Sequence, residues 1–339
     1  MNLKDEVMLK KSVILATVCL AVSLSMGAET RVGVIGLDTS HTLAFTKMLN
    51  IETNEPFFKG FKVTSAYKYG SLDILSSTNR YPAYTKQMME MGVKIVDSLE
   101  ELLKETDVIL LETNDGRRHL EQALEVFKAG KRVFIDKPLA ATLADTIAIF
   151  KAAEKYGVPM FSSSSLRYVK KVQEARAGDF GRIVAVDAYS PCHLEPTHPG
   201  LIWYGIHGVE TLYTVKGTGC VSVVSISEEN TDMVVGVWSD GSVSTMRGMR
   251  GKPALYGCEV FAEKGGRISL GGYEGYKPLL MEIIKFFKTG EVPVPPQETI
   301  EMFAFMEAAE ESKRRGGVPV KISEIMARAN KEAAKKKLD

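Results

Sequence analysis

Lys137 closes the stretch Arg132-Val133-Phe134-Ile135-Asp136-Lys137-Pro138-Leu139, an apolar β-branched run that ends in an acid, a lysine and a proline. A run such as Val133 to Ile135, bounded by Gly130 and Pro138, reads as a buried strand. Helix-like stretches on both sides make the sheet parallel. Ligands gather beyond the carboxyl ends of such strands, so Lys137 is expected at the mouth of a ligand crevice. Pro138 removes one backbone donor and fixes the exit of the chain. A lysine held there can hydrogen-bond a substrate hydroxyl. The competing reading is a solvated lysine that merely ends a strand.

A second set of chemistry-bearing residues lies near the start. Thr30 to Leu37 alternates into a strand, Asp38-Thr39-Ser40 makes a turn, and His41 to Leu49 reads as a helix. Dinucleotide folds carry G-x-G-x-x-G at such a junction, and the matching positions here are Gly36, Asp38 and His41. Only the first glycine survives. Loss of the second matters because backbone must approach a pyrophosphate closely there. An ionised Asp38 would also repel phosphate unless it turns away to cap the helix, while Thr39 and Ser40 can still donate to a phosphate at the helix N-terminus. The next strand, Phe61 to Ala66, ends in Tyr67-Lys68-Tyr69 where an NAD site usually has an acid for the ribose hydroxyls. Lys68 would favour a 2′-phosphate or else be solvated.

The third set is Cys192-His193-Leu194-Glu195-Pro196-Thr197-His198, with four potential metal ligands. Its spacing matches no standard zinc pattern, so no metal is expected and His193 and His198 are read as polar substrate contacts.

These residues need a scaffold, and the rest of the chain supplies one. At 339 residues, 45% hydrophobic and 25% charged, the sequence suits two soluble domains with a sizeable core. A net charge of +1 gives no reason to expect nucleic acid or an anionic membrane as partner. Val93 to Val96 and Val108 to Leu111 are further strands, Ser98 with Glu101 is a capping box, and Leu120 to Phe127 and Leu143 to Tyr156 are helices. After Val158 the rhythm changes: six strand-like segments run from Arg182 to Leu270, with a hairpin turn at Asp240-Gly241, which predicts an antiparallel sheet. Helices return at Pro278 to Phe287 and Thr299 to Arg314.

At the N-terminus, Met8-Leu9-Lys10-Lys11, the apolar run Ser12 to Leu24 and Ser25-Met26-Gly27-Ala28 have the three regions of a secretory signal, with Met8 as a candidate true start. A bilayer span needs about 20 apolar residues, so a cleaved signal is expected and no membrane association after it. The expected divisions are 1–27 signal, 28–158 nucleotide domain, 159–325 substrate and oligomerisation domain, and 326–339 basic helical tail, with a periplasmic or secreted location. Cys192, Cys220 and Cys258 remain, read as three buried thiols, with one disulfide plus a free thiol as the alternative.

Together, Ala129-Gly130-Lys131-Arg132-Val133 leading into Asp136-Lys137-Pro138, then Leu166-Arg167-Tyr168, Asp179-Phe180-Gly181-Arg182-Ile183 and Gly205-Ile206-His207-Gly208-Val209-Glu210, resemble the ordered motifs of the Gfo/Idh/MocA oxidoreductases, from about Arg31 to Ile322. The resemblance implies an α/β fold: an N-terminal Rossmann dinucleotide-binding domain plus a C-terminal α+β domain with an open-faced, mainly antiparallel sheet. It implies NAD or NADP, held by Gly36, Asp38, Thr39, Ser40, His41, Tyr67, Lys68, Thr113, Asn114, Asp136 and Lys137. It makes Lys137 the substrate-orienting lysine and His207 the acid/base, acting on a carbohydrate or polyol hydroxyl, with Arg167, Tyr168, Trp203, Tyr204, Glu210, His193 and His198 as substrate contacts. Two departures stand out. Trp203 replaces an acid often found four residues before the histidine, and Asn114 replaces the proline of the T-P turn. An exported oxidoreductase would need a cofactor that stays bound. The alternatives are a redox-neutral glycoside-cleaving enzyme and a non-catalytic sugar-binding relative. A homo-oligomer through the open sheet is expected from the family alone.

Overall fold

The computed structural model describes residues 29–339 apart from positions 53 and 254. The expected signal segment, with Met8, lies outside the described residues. Six short strands build the first sheet: β1 (Thr30–Ile35), β2 (Phe61–Tyr67), β3 (Lys94–Val96), β4 (Val108–Leu111), β5 (Arg132–Ile135) and β6 (Met160–Ser162). Their spatial order is β3-β2-β1-β4-β5-β6 and every pairing is parallel. This is the strand order of a doubly wound dinucleotide fold, with its crevice where β1 and β4 diverge. All four residues of β4 are buried, as a strand covered on both faces requires.

The connecting helices are α1 (Ser40–Asn50), α2 (Leu75–Glu90), α3 (Leu99–Glu105), α4 (His119–Lys128) and α5 (Leu143–Tyr156). The capping box is present: the Glu101 amide donates to Ser98 Oγ at 3.1 Å. Gly157 closes α5 in the left-handed conformation, as a helix-stopping glycine does. Gly36 has φ +90°, and a Cβ there would lie 2.4 Å from the Thr113 amide nitrogen. Its glycine therefore lets β1 and the end of β4 approach each other.

Two features depart from the expectation. Helix α2 carries no sequence signal, because only Ser77 and Met88 are buried along it and no apolar stripe marks it. The sixth strand, Met160–Ser162, lies beyond residue 158 and pairs with β5.

The second part begins with α6 (Lys170–Ala177), β7 (Ile183–Pro191), α7 (Gly200–Trp203) and α8 (Ile206–Lys216), followed by β8 (Cys220–Glu228), β9 (Thr231–Trp238), β10 (Val243–Met249), β11 (Gly257–Ala262) and β12 (Gly266–Gly271). Helices α9 (Lys277–Thr289) and α10 (Pro296–Arg314), the short β13 (Val320–Lys321) and α11 (Ile322–Ala333) complete it. The sheet order is β12-β11-β7-β10-β9-β8-β13, antiparallel except for β7 with β10. Helices α8 and α10 cover one face. The opposite face leaves Ile226, Val243 and Phe261 exposed. Cys192, Cys220 and Cys258 are all buried free thiols.

The chain does not separate the two parts cleanly. Helix α9 returns to the first sheet, where Leu279, Leu280, Ile283, Ile284 and Phe286 join Val32, Val34, Phe134 and Phe161 in one buried cluster. Arg132 Nη1 donates to the Phe287 carbonyl at 2.8 Å across the same seam.

Candidate active site

The carboxyl ends of β1, β4 and β5 open into a cavity of about 370 Å³. One wall comes from the first part: Thr39, Ser40 and His41 at the start of α1, Ser76 and Arg80 on α2, then Asn114, Asp136 and Lys137. The other carries Ser165, Leu166, His193, Trp203, Tyr204, His207, Tyr256, Tyr273 and Tyr276. The lysine after β5 and the histidine of α8 therefore share one pocket, as their motifs implied.

Helix α8 places His207 by lying flat on its sheet. A Cβ at Gly208 would come within 2.8 Å of Met246 and Ser190, so the following glycine permits the close approach. His207 Nδ1 lies 2.7 Å from Ser164 Oγ. That hydroxyl also accepts the Leu166 amide, at 3.2 Å. Burial, reinforced by the Lys137 charge, holds the imidazole well below its usual range, so it is neutral near pH 7.

Behind the wall stands a buried ionic frame. Glu210, one helical turn beyond His207, accepts from Ser163 Oγ at 2.8 Å, the Ser164 amide at 3.0 Å and Arg167 Nε at 2.6 Å. Arg167 also donates to Glu298 at 2.5 Å. Burial opposes its charge, but Glu210 and Glu298 outweigh that and raise its pKa. Arg167 and Glu210, expected to touch substrate, thus do not line this cavity and instead hold the segment that holds His207. Tyr168 packs against the α9 cluster and does not line the cavity either.

The remaining expected contacts divide. Trp203, Tyr204 and His193 line the pocket, with the Tyr204 ring 5.2 Å from His193 and 4.9 Å from His207. His198 sits behind it, its ring 4.8 Å from Trp203 and its Nδ1 2.9 Å from Thr197 Oγ1. Burial pushes this imidazole down to about 4. Cys192, His193, Glu195 and His198 do not form a ligand cluster among the described residues.

The nucleotide side shows how the altered glycine turn is accommodated. Asp38 does turn away, but it does not cap α1: Oδ1 accepts the Asn114 amide at 2.9 Å and Oδ2 the Ser77 hydroxyl at 2.5 Å. Burial pushes its pKa up to about 6, against the pull of those two hydrogen bonds. No side chain caps the N-terminus of α1, and its first turn holds no acid. Free N–H groups with the positive end of a helix dipole, on the same wall as Arg80, fit a pyrophosphate. Lys68 instead pairs with Asp97 at 2.8 Å on the surface, and neither it nor Tyr67 lines the cavity. Gly36 and Thr113 likewise stand outside the lining: Gly36 serves the close approach to Thr113, whose carbonyl is 2.7 Å from His119 Nε2. Asp136 Oδ1 accepts the Lys137 amide at 2.8 Å and lies 2.9 Å from His41 Nδ1.

Sequence reading missed Arg80, because its helix went unseen. It also missed Ser164 and the tyrosines 256, 273 and 276. Tyr204 and Tyr256 join their hydroxyls at 2.9 Å, and Tyr276 reaches Ser40 Oγ at 2.9 Å. A run as rich in Gly and Tyr as 271–276 was the available signal. Glu112, an acid directly after a wholly buried strand, was another.

Comparison with known proteins agrees with this geometry. Residues 30–164 match a family described as an oxidoreductase family with an NAD-binding Rossmann fold. A 1,5-anhydro-D-fructose reductase of Ensifer adhaerens is 30% identical over 170 residues, covering 45% of this chain and half the length of that relative. Among solved structures, a probable dehydrogenase of Thermotoga maritima superposes with a TM-score of 0.70 at 20% identity, over 87% of this chain and 99% of its own. The scyllo-inositol dehydrogenase of Lactobacillus casei, solved with NAD(H) and scyllo-inositol, gives 0.66 at 15% identity, over 87% and 99%. These structural likenesses establish the fold. The match to the Gfo/Idh/MocA oxidoreductase family thus covers the nucleotide-binding portion of the chain, residues 30–164.

Proposed function

We propose that this protein is an NAD(P)-dependent oxidoreductase acting on a hydroxyl of a carbohydrate or polyol. The observation that carries the reading is the convergence of Lys137 and a neutral, anchored His207 on one aromatic-walled pocket. Hydride exchange at the substrate carbon is the chemistry a bound nicotinamide would supply. The helix N-terminus at Thr39 and Ser40, with Arg80 and Asn114, would hold the cofactor.

The chain's own groups handle the proton. In the tautomer that donates from Nδ1 to Ser164 Oγ, His207 Nε2 is an acceptor aimed at the substrate hydroxyl. Negative charge growing on that oxygen is met by the Lys137 ammonium. Trp203, Tyr204 and Tyr256 offer apolar ring faces with polar edges, which suits a sugar ring with C–H faces and a hydroxyl rim. The relatives point the same way, since two of them act on or bind an anhydrosugar and an inositol by name. Export, read from the N-terminal segment, would require a tightly held cofactor. Self-association would use the exposed apolar face of the second sheet.

The test has two stages. Calorimetric titration with NAD⁺ and NADP⁺, with the absorbance of supernatant from denatured protein, reads bindable and already bound nucleotide. Lys137→Ala and His207→Ala should then each lower turnover by about 10²–10⁴-fold, the usual worth of a positioned acid/base group, with nucleotide binding retained. Absence of any nucleotide binding would leave a sugar-binding relative, the reading favoured by the acid at position 38. Undiminished turnover in either variant would overturn the assigned roles.

A further inference from the structure

Three buried donor groups meet where three neighbouring strands end. His41 follows β1, Glu112 follows β4 and Asp136 follows β5, and these strands are adjacent in the sheet. One ligand atom from each lies within 4.8 Å of the other two. His41 Nδ1 is 2.9 Å from Asp136 Oδ1 and 3.8 Å from Glu112 Oε2, and the side chains are 5%, 0% and 0% exposed respectively.

The hydrogen bonding of this cluster is incomplete. Among the described residues no hydrogen bond satisfies either oxygen of Glu112, Oδ2 of Asp136 or Nδ1 of His41. The histidine and Asp136 approach as an ion pair, which leaves Asp136 Oδ2 and both Glu112 oxygens unpaired. Buried polar atoms are ordinarily paired, and unpaired carboxylate oxygens in a protein interior are costly. A buried imidazole and two buried carboxylates gathered this closely, with several of their polar atoms unpaired, point to a shared occupant.

We propose that His41, Glu112 and Asp136 form a binding site for one divalent transition-metal ion of the Mn²⁺ or Zn²⁺ class. One imidazole and two carboxylates make a mixed nitrogen and oxygen set suited to such ions, and the set lacks the thiolates a softer ion prefers. Bonds of about 2.0–2.2 Å place neighbouring ligand atoms roughly 3–3.5 Å apart, so the observed spacings need only small side-chain adjustments. Two carboxylates balance the charge of the ion, and Lys137 is the cation standing beside them. His41 and Asp136 also line the cavity, which gives the ion an entry path and open coordination positions. Hydride transfer at a hydroxyl requires no such ion, so the site is an addition to the proposed activity.

The full chain, stripped with chelator and desalted, is titrated with MnCl₂ while paramagnetic resonance reads free Mn²⁺, and in parallel with ZnCl₂ by calorimetry. One ion per chain should bind, and Glu112→Gln and Asp136→Asn should each weaken binding at least tenfold while circular dichroism is unchanged. Should a variant fail to fold, a rise in the melting temperature of the stripped wild-type protein on adding either ion supplies the reading. No saturable binding of either ion by the wild type, or undiminished binding in both folded variants, overturns the site.

Discussion

Asparagine in place of Asp38 should raise stability at neutral pH and leave it nearly unchanged in acid. The Asp38 carboxyl is fully buried and, among the described residues, accepts two hydrogen bonds from other residues, from Ser77 and the Asn114 amide. Burial pushes its pKa from 3.8 up to about 6 in the folded chain. Between those two values the folded protein holds a proton that the unfolded chain has released. Stability therefore falls as pH rises through this window and stays lower above it. A shift of about two units at 1.36 kcal/mol each amounts to about 3 kcal/mol. The substituted carboxamide would be neutral in both states, would still accept the Asn114 amide, and would offer its own N–H to Ser77 Oγ. The stability of Asp38→Asn minus that of wild type should thus be about 2.5 kcal/mol more favourable at pH 7.5 than at pH 4, where part of the unfolded chain is already ionised. Urea unfolding of both proteins at the two pH values, followed by tryptophan fluorescence, measures the double difference. A difference independent of pH, or one of opposite sign, would show that the surroundings stabilise the ionised carboxylate and would refute the reasoning. The same variant removes a negative charge from the glycine turn, so it should also bind NAD⁺ more tightly at pH 7.5.

Arg167→Ala leaves Glu210 buried without its cation, while Glu298 keeps Arg176 at 3.0 Å, and should cost roughly 3–5 kcal/mol, read as a lowered midpoint in chemical denaturation. Gly36→Ala forces a side chain onto a backbone with φ +90° and against Thr113; strain alone should cost about 1–3 kcal/mol, seen as a lower melting temperature. Ser164→Ala removes the partner of His207 Nδ1 while leaving the imidazole in the pocket. Loss of one orienting hydrogen bond, worth about 0.5–1.5 kcal/mol, should lower kcat up to roughly tenfold and displace the pH–rate profile. A purely structural serine would leave that profile in place.

The sequence revealed the nucleotide domain well because its strands are short apolar runs and its helices carry local start and stop signals, as at Ser98 and Gly157. Lys137 and His207 were legible for a related reason, since strand ends and glycine-flanked helix starts mark where side chains emerge. What a motif could not tell was direction. Arg167 and Glu210 sit next to the pocket in sequence terms, but their charges are spent on each other and on Glu298, a partner 131 residues from Arg167. Arg80 was hidden because α2 has almost no buried face. Lys68 illustrates the reverse error: its position matched a ribose contact, but Asp97, a surface aspartate just past the end of the neighbouring strand β3, claims its charge.

Helix α9 belongs in sequence to the second part of the chain and in space to the first. A fragment ending after Ser162 would keep every strand of the parallel sheet but lose the apolar cover of Val32, Val34, Phe134 and Phe161. Such a fragment would bare a greasy trough and clump before any ligand could be offered to it. Anyone grafting a new substrate lobe onto this scaffold must carry the returning helix along with the core it shields.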